Sequence, residues 1–302
     1  MSTDGTDPGP GAGSAPGVIE DRLEEAFGRI VHEGVQRLER GWQALVATGV
    51  VAGLEVGIGV LALLIVEERT GSRLLGGLAF SIGFLALLLG HSELFTEGFL
   101  IPVTAAASGR ARAGQVARFW VVTLLTNLAG GWLMMWLVTT GFPRTVPVAV
   151  HLGSAFVRQG IGLHALALSV LAGAAITLMT RMQHGTDSMT ARVVAAVGIA
   201  WLLAGLPLDH SVLDSLVFFA ALHARRAPFG YLAWFEWMGW AVLGNVVGGV
   251  GLVTMLRLVR SEKRVRHERQ VVAAQPPRRE RPSGLLVPGT GEPLPPRPSG
   301  ER

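Results

Sequence analysis

Six apolar runs dominate this chain, at roughly 42–66, 74–107, 116–140, 160–182, 193–222 and 232–259. About twenty helical residues cross the hydrocarbon core of a bilayer, so each run is long enough to span it. Lipid offers no partner to a backbone N–H or C=O, so such runs must close their hydrogen bonds internally, and the pattern predicts an all-α integral membrane protein. The second and fifth runs are overlong and polar in the middle, with Gly90-His91-Ser92-Glu93 in one and Gly205-Leu206-Pro207-Leu208-Asp209-His210-Ser211 in the other. Both predict interrupted helices, which survive at membrane depth only when buried in protein or lining a polar path.

Composition narrows the alternatives. Half of the 302 residues are hydrophobic and 16% are charged, with the charges crowded at the ends and between the runs. The formal net charge of +4 does not point to nucleic acid, because the arginines flank apolar spans with no interleaved aromatics on which bases would stack. With no cysteine, disulfides, thiolate metal sites and cysteine nucleophiles are excluded. No basic and then apolar leader opens the sequence, so no signal peptide is expected.

Ahead of the first run, Ile19, Leu23, Phe27, Ile30, Val31, Val35 and Leu38 recur every three or four residues among Glu and Arg. This predicts an amphipathic helix over 18–41, lying on the membrane face or against the bundle. Residues 1–17 and a basic, Pro-rich tail over 260–302 are expected to be disordered. Arg29, Arg37, Arg40, Arg110, Arg112, Arg118, Arg181, Arg192, Arg257, Arg260, Lys263 and Arg264 share one side of the predicted topology. Arg69, Arg73, Arg144, Arg158, Arg225 and Arg226 fall on the other, an imbalance that puts both termini in the cytoplasm.

The runs form two groups of three, which must then have opposite topology. Asn127-Leu128-Ala129-Gly130-Gly131 in the third run returns 118 residues later as Asn245-Val246-Val247-Gly248-Gly249 in the sixth. His91-Ser92 returns 119 residues later as His210-Ser211. These matches predict repeats over about 42–141 and 160–259 within a transmembrane domain of residues 42–259. The glycines read first as close helix packing. Glu55, His91, Glu93, Asp209, His210 and Asp214 are ionisable residues within the runs, expected to face the bundle interior. Glu93 reads as a cap for the half-helix starting near Phe95, and His210 as a proton or positive field for a passing weak-acid anion. Half-helix N-termini at the breaks are expected to present free N–H groups to that anion.

The stretch Gly90-His91-Ser92-Glu93-Leu94-Phe95-Thr96-Glu97-Gly98-Phe99-Leu100-Ile101-Pro102-Val103 resembles the signature at the interrupted second helix of the formate/nitrite transporters. Asp209-His210-Ser211-Val212 resembles the His-Ser element of their fifth, and the likeness covers about 18–263. It implies an aquaporin-like protomer in a homopentamer of the inner membrane, passing small monovalent anions such as formate, nitrite or hydrosulfide, with proton coupling. Carried onto this sequence, it makes Leu94, Phe95 and Thr96 the cytoplasmic constriction and His210 the central pore histidine. His91, Ser211 and Asp214 are the further residues expected on the substrate pathway.

The likeness is to a divergent member. Leu213-Asp214-Ser215 stands where the family continues with Ala-Asn-Met, adding a carboxylate beside the route. The family's vestibule lysine has no lysine counterpart, with Arg158 nearby as its substitute, and Gly173 stands near the small polar residue of the fourth span. No metal or cofactor is expected. A neutral-solute channel of aquaporin type is disfavoured because neither break contains Asn-Pro-Ala, and an intramembrane enzyme because no His-Glu-x-x-His or paired ligand spacing occurs.

Overall fold

The computed structural model describes residues 16–274, with side chains from residue 25 onward. The expected disorder over residues 1–15 and 275–302 lies outside the described residues. Within them the chain is helical. In order, the helices are α1 (Pro16–Glu39), α2 (Trp42–Thr70), α3 (Arg73–Gly90), a 3-10 turn Phe95–Phe99, α4 (Ile101–Ala107) and α5 (Ala113–Gly141). A turn at Pro143–Thr145 leads to α6 (Val146–Gln159), α7 (Leu163–His184), α8 (Met189–Gly205), α9 (Leu213–His223) and α10 (Tyr231–Val246). A π-helical stretch Val247–Met255 carries α10 into α11 (Leu256–Arg260) and α12 (Glu262–Ala274).

Among the described residues, five helical segments are long and apolar enough to cross a membrane: α2, α3, α5, α7 and Tyr231–Arg260. The fifth apolar run is divided into pieces too short for that, Met189–Gly205 and Leu213–His223. Large apolar side chains such as Leu125, Leu171 and Leu232 stand exposed around the bundle, as lipid-facing positions require.

The two halves repeat one element order. In each, an amphipathic helix (α1, α6) precedes a long helix (α2, α7), then a helix that stops (α3, α8), a non-helical segment, a short helix (α4, α9) and a long closing helix (α5, α10). The helix α6 had no sequence expectation, because its apolar residues merge with the fourth run across Gly160 and Gly162.

Glycines set the helix spacing. A Cβ on Gly130 would strike the Val50 carbonyl of α2, and one on Gly248 the Val170 carbonyl of α7, so both Asn-x-x-Gly-Gly elements press backbone on backbone. Gly131 meets Leu216, Gly249 meets Phe99 and Thr177, and Gly173 meets the backbone of Asn245. Gly34 does the same for α1, where a Cβ would lie 2.6 Å from the Ile101 carbonyl oxygen of α4. Accordingly α1 lies against the bundle, with Phe27, Ile30, Val31 and Leu38 buried.

One expectation is corrected here. The chain does not turn disordered at residue 260, since Glu262–Ala274 forms α12. A Glu262–Arg266 pair one turn apart at 2.7 Å supports that helix. Arg110 binds Glu268 at 2.6 Å and Arg269 donates to the Ala107 carbonyl at 2.7 Å, docking it on the end of α4.

Candidate functional site: two clasped breaks joined at His210

Each break is held by one asparagine. Asn127 of α5 donates from Nδ2 to the carbonyls of Glu93 (2.9 Å) and Gly49 (2.8 Å), while its Oδ1 accepts the Phe95 N–H (2.8 Å). Asn245 of α10 donates to the carbonyls of Asp209 (2.9 Å) and Ser169 (2.8 Å) and accepts the Ser211 N–H (2.9 Å). A primary amide carries two donors and an acceptor on one rigid group, so it replaces the hydrogen bonds an interrupted helix loses. Both asparagines are fully buried.

These clasps set the register of the repeat within the breaks. Glu93 matches Asp209 and Phe95 matches Ser211, so the residues at the two apices are Leu94 and His210. His91 therefore matches Pro207 rather than His210, and the paired His-Ser dipeptides are not structural equivalents. His91 is exposed and ends α3 in the left-handed region, with φ of 53°, away from His210.

His210 joins the two breaks. Its Nε2 lies 3.0 Å from Thr96 Oγ1, and both residues are fully buried. The Leu213 N–H donates to Nδ1 at 3.1 Å. A backbone N–H can only donate, so Nδ1 is unprotonated and the neutral ring carries its proton on Nε2, directed at the Thr96 hydroxyl. Leu94 and Phe95 pack in the core beside this contact, and Phe95, Phe99 and Trp120 form an edge-on aromatic ladder. Trp120 donates to the Gly98 carbonyl (2.9 Å) and Thr254 to that of Phe99 (2.9 Å), so the 3-10 turn is tied to α5 and to the π-helical stretch.

Four of the N–H groups expected to be free at the breaks are already taken. Asp214 Oδ2 accepts the His210 N–H at 2.7 Å, and those of Phe95, Ser211 and Leu213 go to the asparagines and the imidazole. Asp214 thus closes a turn around the histidine, leaving its Oδ1 buried without a partner. Ser211 Oγ is likewise buried and unpaired. At the other end of the second break, Arg73 reaches the Ala204 carbonyl at 2.6 Å, occupying an acceptor released where α8 stops.

The carboxylates beside the clasps face the amphipathic helices. Asp209 Oδ2 accepts from Gln159 of α6 at 2.6 Å, and the neighbouring Arg158 is exposed. Glu93 is 1% exposed and pairs with Arg40 at 2.7 Å and Arg37 at 3.2 Å. It is therefore an anchor for α1 rather than a helix cap. Arg37 also binds Glu33 at 2.6 Å, and Glu33 binds His184 at 2.9 Å, extending a charged chain from the first break to the end of α7. Sequence reasoning missed this chain, whose one local signal is the Glu33–Arg37 spacing.

Burial alone would raise the Glu33 carboxyl, but the hydrogen bond from His184 and the charge of Arg37 outweigh it and lower it to about 2. A lowered carboxyl stabilises above its unfolded value of 4.5 and loses that contribution as the pH falls toward 2. Proteolytic cleavage of α1 is accordingly expected to stay flat from neutral pH down to about 5 and to rise only below it, with Glu33→Gln cleaved faster at neutral pH.

Comparison with known proteins agrees with this architecture. A formate/nitrite transporter family model matches residues 24–259. "Inner membrane protein YfdC" of Escherichia coli is 26% identical over 85% of this chain and 86% of its own. "Formate channel FocA" of the same organism is 30% identical over 38% of this chain and 44% of its own. A solved structure described as a pentameric formate channel with formate bound superposes with a TM-score of 0.61 at 21% identity, covering 74% of this chain and 99% of that one.

Proposed function

The chain belongs to the formate/nitrite transporter family, and on that premise we propose that it forms a membrane channel for formate or a similar small weak-acid anion. In this reading the six runs are spans in two inverted halves with the second and fifth interrupted, both termini are cytoplasmic, and five copies assemble, each with its own pore. The observation that carries it is the buried Thr96–His210 contact, which brings the break of one half against the apex of the other. In this reading Leu94, Phe95 and Thr96 form the constriction, and the ties of the 3-10 turn to α5 and the π-helical stretch support it.

The chemistry around His210 bears on what can pass. A neutral Nε2–H is a donor to an oxyanion that displaces the Thr96 hydroxyl; it can pass its proton to that anion only as Nδ1 releases the Leu213 N–H and takes a proton entering with the anion, which leaves the ring neutral again. Asp209 and Asp214 are both buried near the ring, and among the described residues no cation is paired with either. Burial of this kind opposes any negative charge held there, so an anion neutralised by a proton is the favoured form. In this reading passage is coupled to a proton, and permanently charged anions are disfavoured by the same burial.

Liposomes containing the purified protein are expected to take up formate about tenfold or more faster at acidic than at neutral pH, the scale of one proton-transfer group. His210→Ala is expected to abolish that pH response. Thr96→Val, which keeps the shape and removes the hydroxyl, is expected to alter the rate while leaving the pH response in place. An unchanged pH profile in His210→Ala removes the histidine from the mechanism.

A further inference from the structure

A cavity of about 970 Å³ opens on the α1 and α12 side of the molecule, between α1, the end of α7, the loop into α8 and the segment joining α11 to α12. It is separate from the clasped breaks and its lining is strongly basic: Arg29, Arg181, Arg257, Arg260, Lys263 and Arg264. The opposing carboxylates are Glu25, Asp187 and Glu262. Asp187 lies 3.8 Å from Arg29, and Glu262 is bound by Arg266, which is outside the cavity lining. Among the described residues no carboxylate pairs with Arg181, Arg257, Arg260 or Lys263. Arg257 is half-buried, its Nη1 is shielded from solvent without a hydrogen-bond partner, and Arg181 and Arg264 are its electrostatic neighbours.

We propose that this cavity binds a phosphate-bearing ligand. Gathering like charges around a partly desolvated guanidinium costs free energy that a multivalent anion recovers. Guanidinium groups match phosphate oxygens in paired hydrogen bonds. The volume exceeds what formate needs and suits a phosphate carried on an organic body, as in a lipid headgroup or a soluble phosphorylated molecule. Exposed Val259 lines the cavity and exposed Leu256 stands nearby, giving the site an apolar border. His184 lines the cavity and also holds Glu33, which holds Arg37, which holds Glu93, so occupancy reaches the first break through direct contacts.

The test is thermal unfolding of the full chain at constant ionic strength in two arms: phosphatidylcholine nanodiscs with and without phosphatidylglycerol, and detergent with and without inorganic pyrophosphate. Stabilisation by phosphatidylglycerol assigns a lipid source, and by pyrophosphate a soluble one. In whichever arm responds, Arg257→Gln and the exposed pair Arg260→Gln/Lys263→Gln are each expected to weaken the apparent affinity about tenfold, while Arg144→Gln, outside the cavity, leaves it unchanged. The exposed pair keeps the test decisive should Arg257→Gln fold poorly. Absence of stabilisation in both arms, or equal weakening by Arg144→Gln, overturns the proposal.

Discussion

Asn245→Ala is expected to destabilise the protein by roughly 3–5 kcal/mol and to abolish formate uptake, because each buried polar group left unpaired costs about 1–3 kcal/mol. The amide makes three hydrogen bonds, and its loss strands the Ser211 N–H and the Asp209 carbonyl on either side of His210. Water cannot readily replace them where all three residues are at most 1% exposed. Asn245→Asp tests the same point from another direction. It keeps an acceptor for Ser211 but turns a carboxylate oxygen toward two carbonyls, so it is expected to be no better than alanine. Asn127→Ala should match Asn245→Ala, since the first break is tied by the same three-bond pattern. Thermal unfolding in detergent by tryptophan fluorescence, read beside liposome flux, decides it; wild-type stability in either alanine variant would mean that the breaks are held by something other than the clasps.

These clasps show what could be read in advance and what could not. Span-length apolar runs and their polar interruptions are local properties, so the helices and the sites of the breaks were legible in the sequence. The recurrence of Asn-x-x-Gly-Gly was equally visible, and its glycines do press helix on helix. What an asparagine side chain does across a fold is another matter: Asn127 reaches Gly49 and Glu93, and Asn245 reaches Ser169 and Asp209, contacts 34 to 78 residues apart. The resemblance of His91-Ser92 to His210-Ser211 misled for the same reason. Dipeptide identity ignores register, and three-dimensional pairing aligns His91 with Pro207. Gln159, which makes the contact to Asp209, carried no signal in the sequence, because its partner is 50 residues away.

The ion pairs of Glu93 provide the second large effect. A carboxylate with 1% exposure is tolerable because Arg37 and Arg40 surround it, and breaking a buried pair by removing one partner costs about 3–5 kcal/mol, since the remaining charge stays buried. Arg37 is the greater loss of the two, being only 17% exposed and holding Glu33 as well. Arg37→Ala is therefore expected to lower stability by about 3–5 kcal/mol and to loosen α1, seen as faster proteolysis of residues before Trp42. Converting the stranded carboxylate to an amide removes most of that penalty, so Arg37→Ala/Glu93→Gln should recover roughly half or more of the loss despite having fewer charges. Such recovery is the signature of coupling between α1 and the first break, and strictly additive losses in the double variant would show that the two residues act independently. Because Glu93 directly precedes Leu94, the same variants should change flux in step with proteolysis of α1 if the amphipathic helix steadies the constriction.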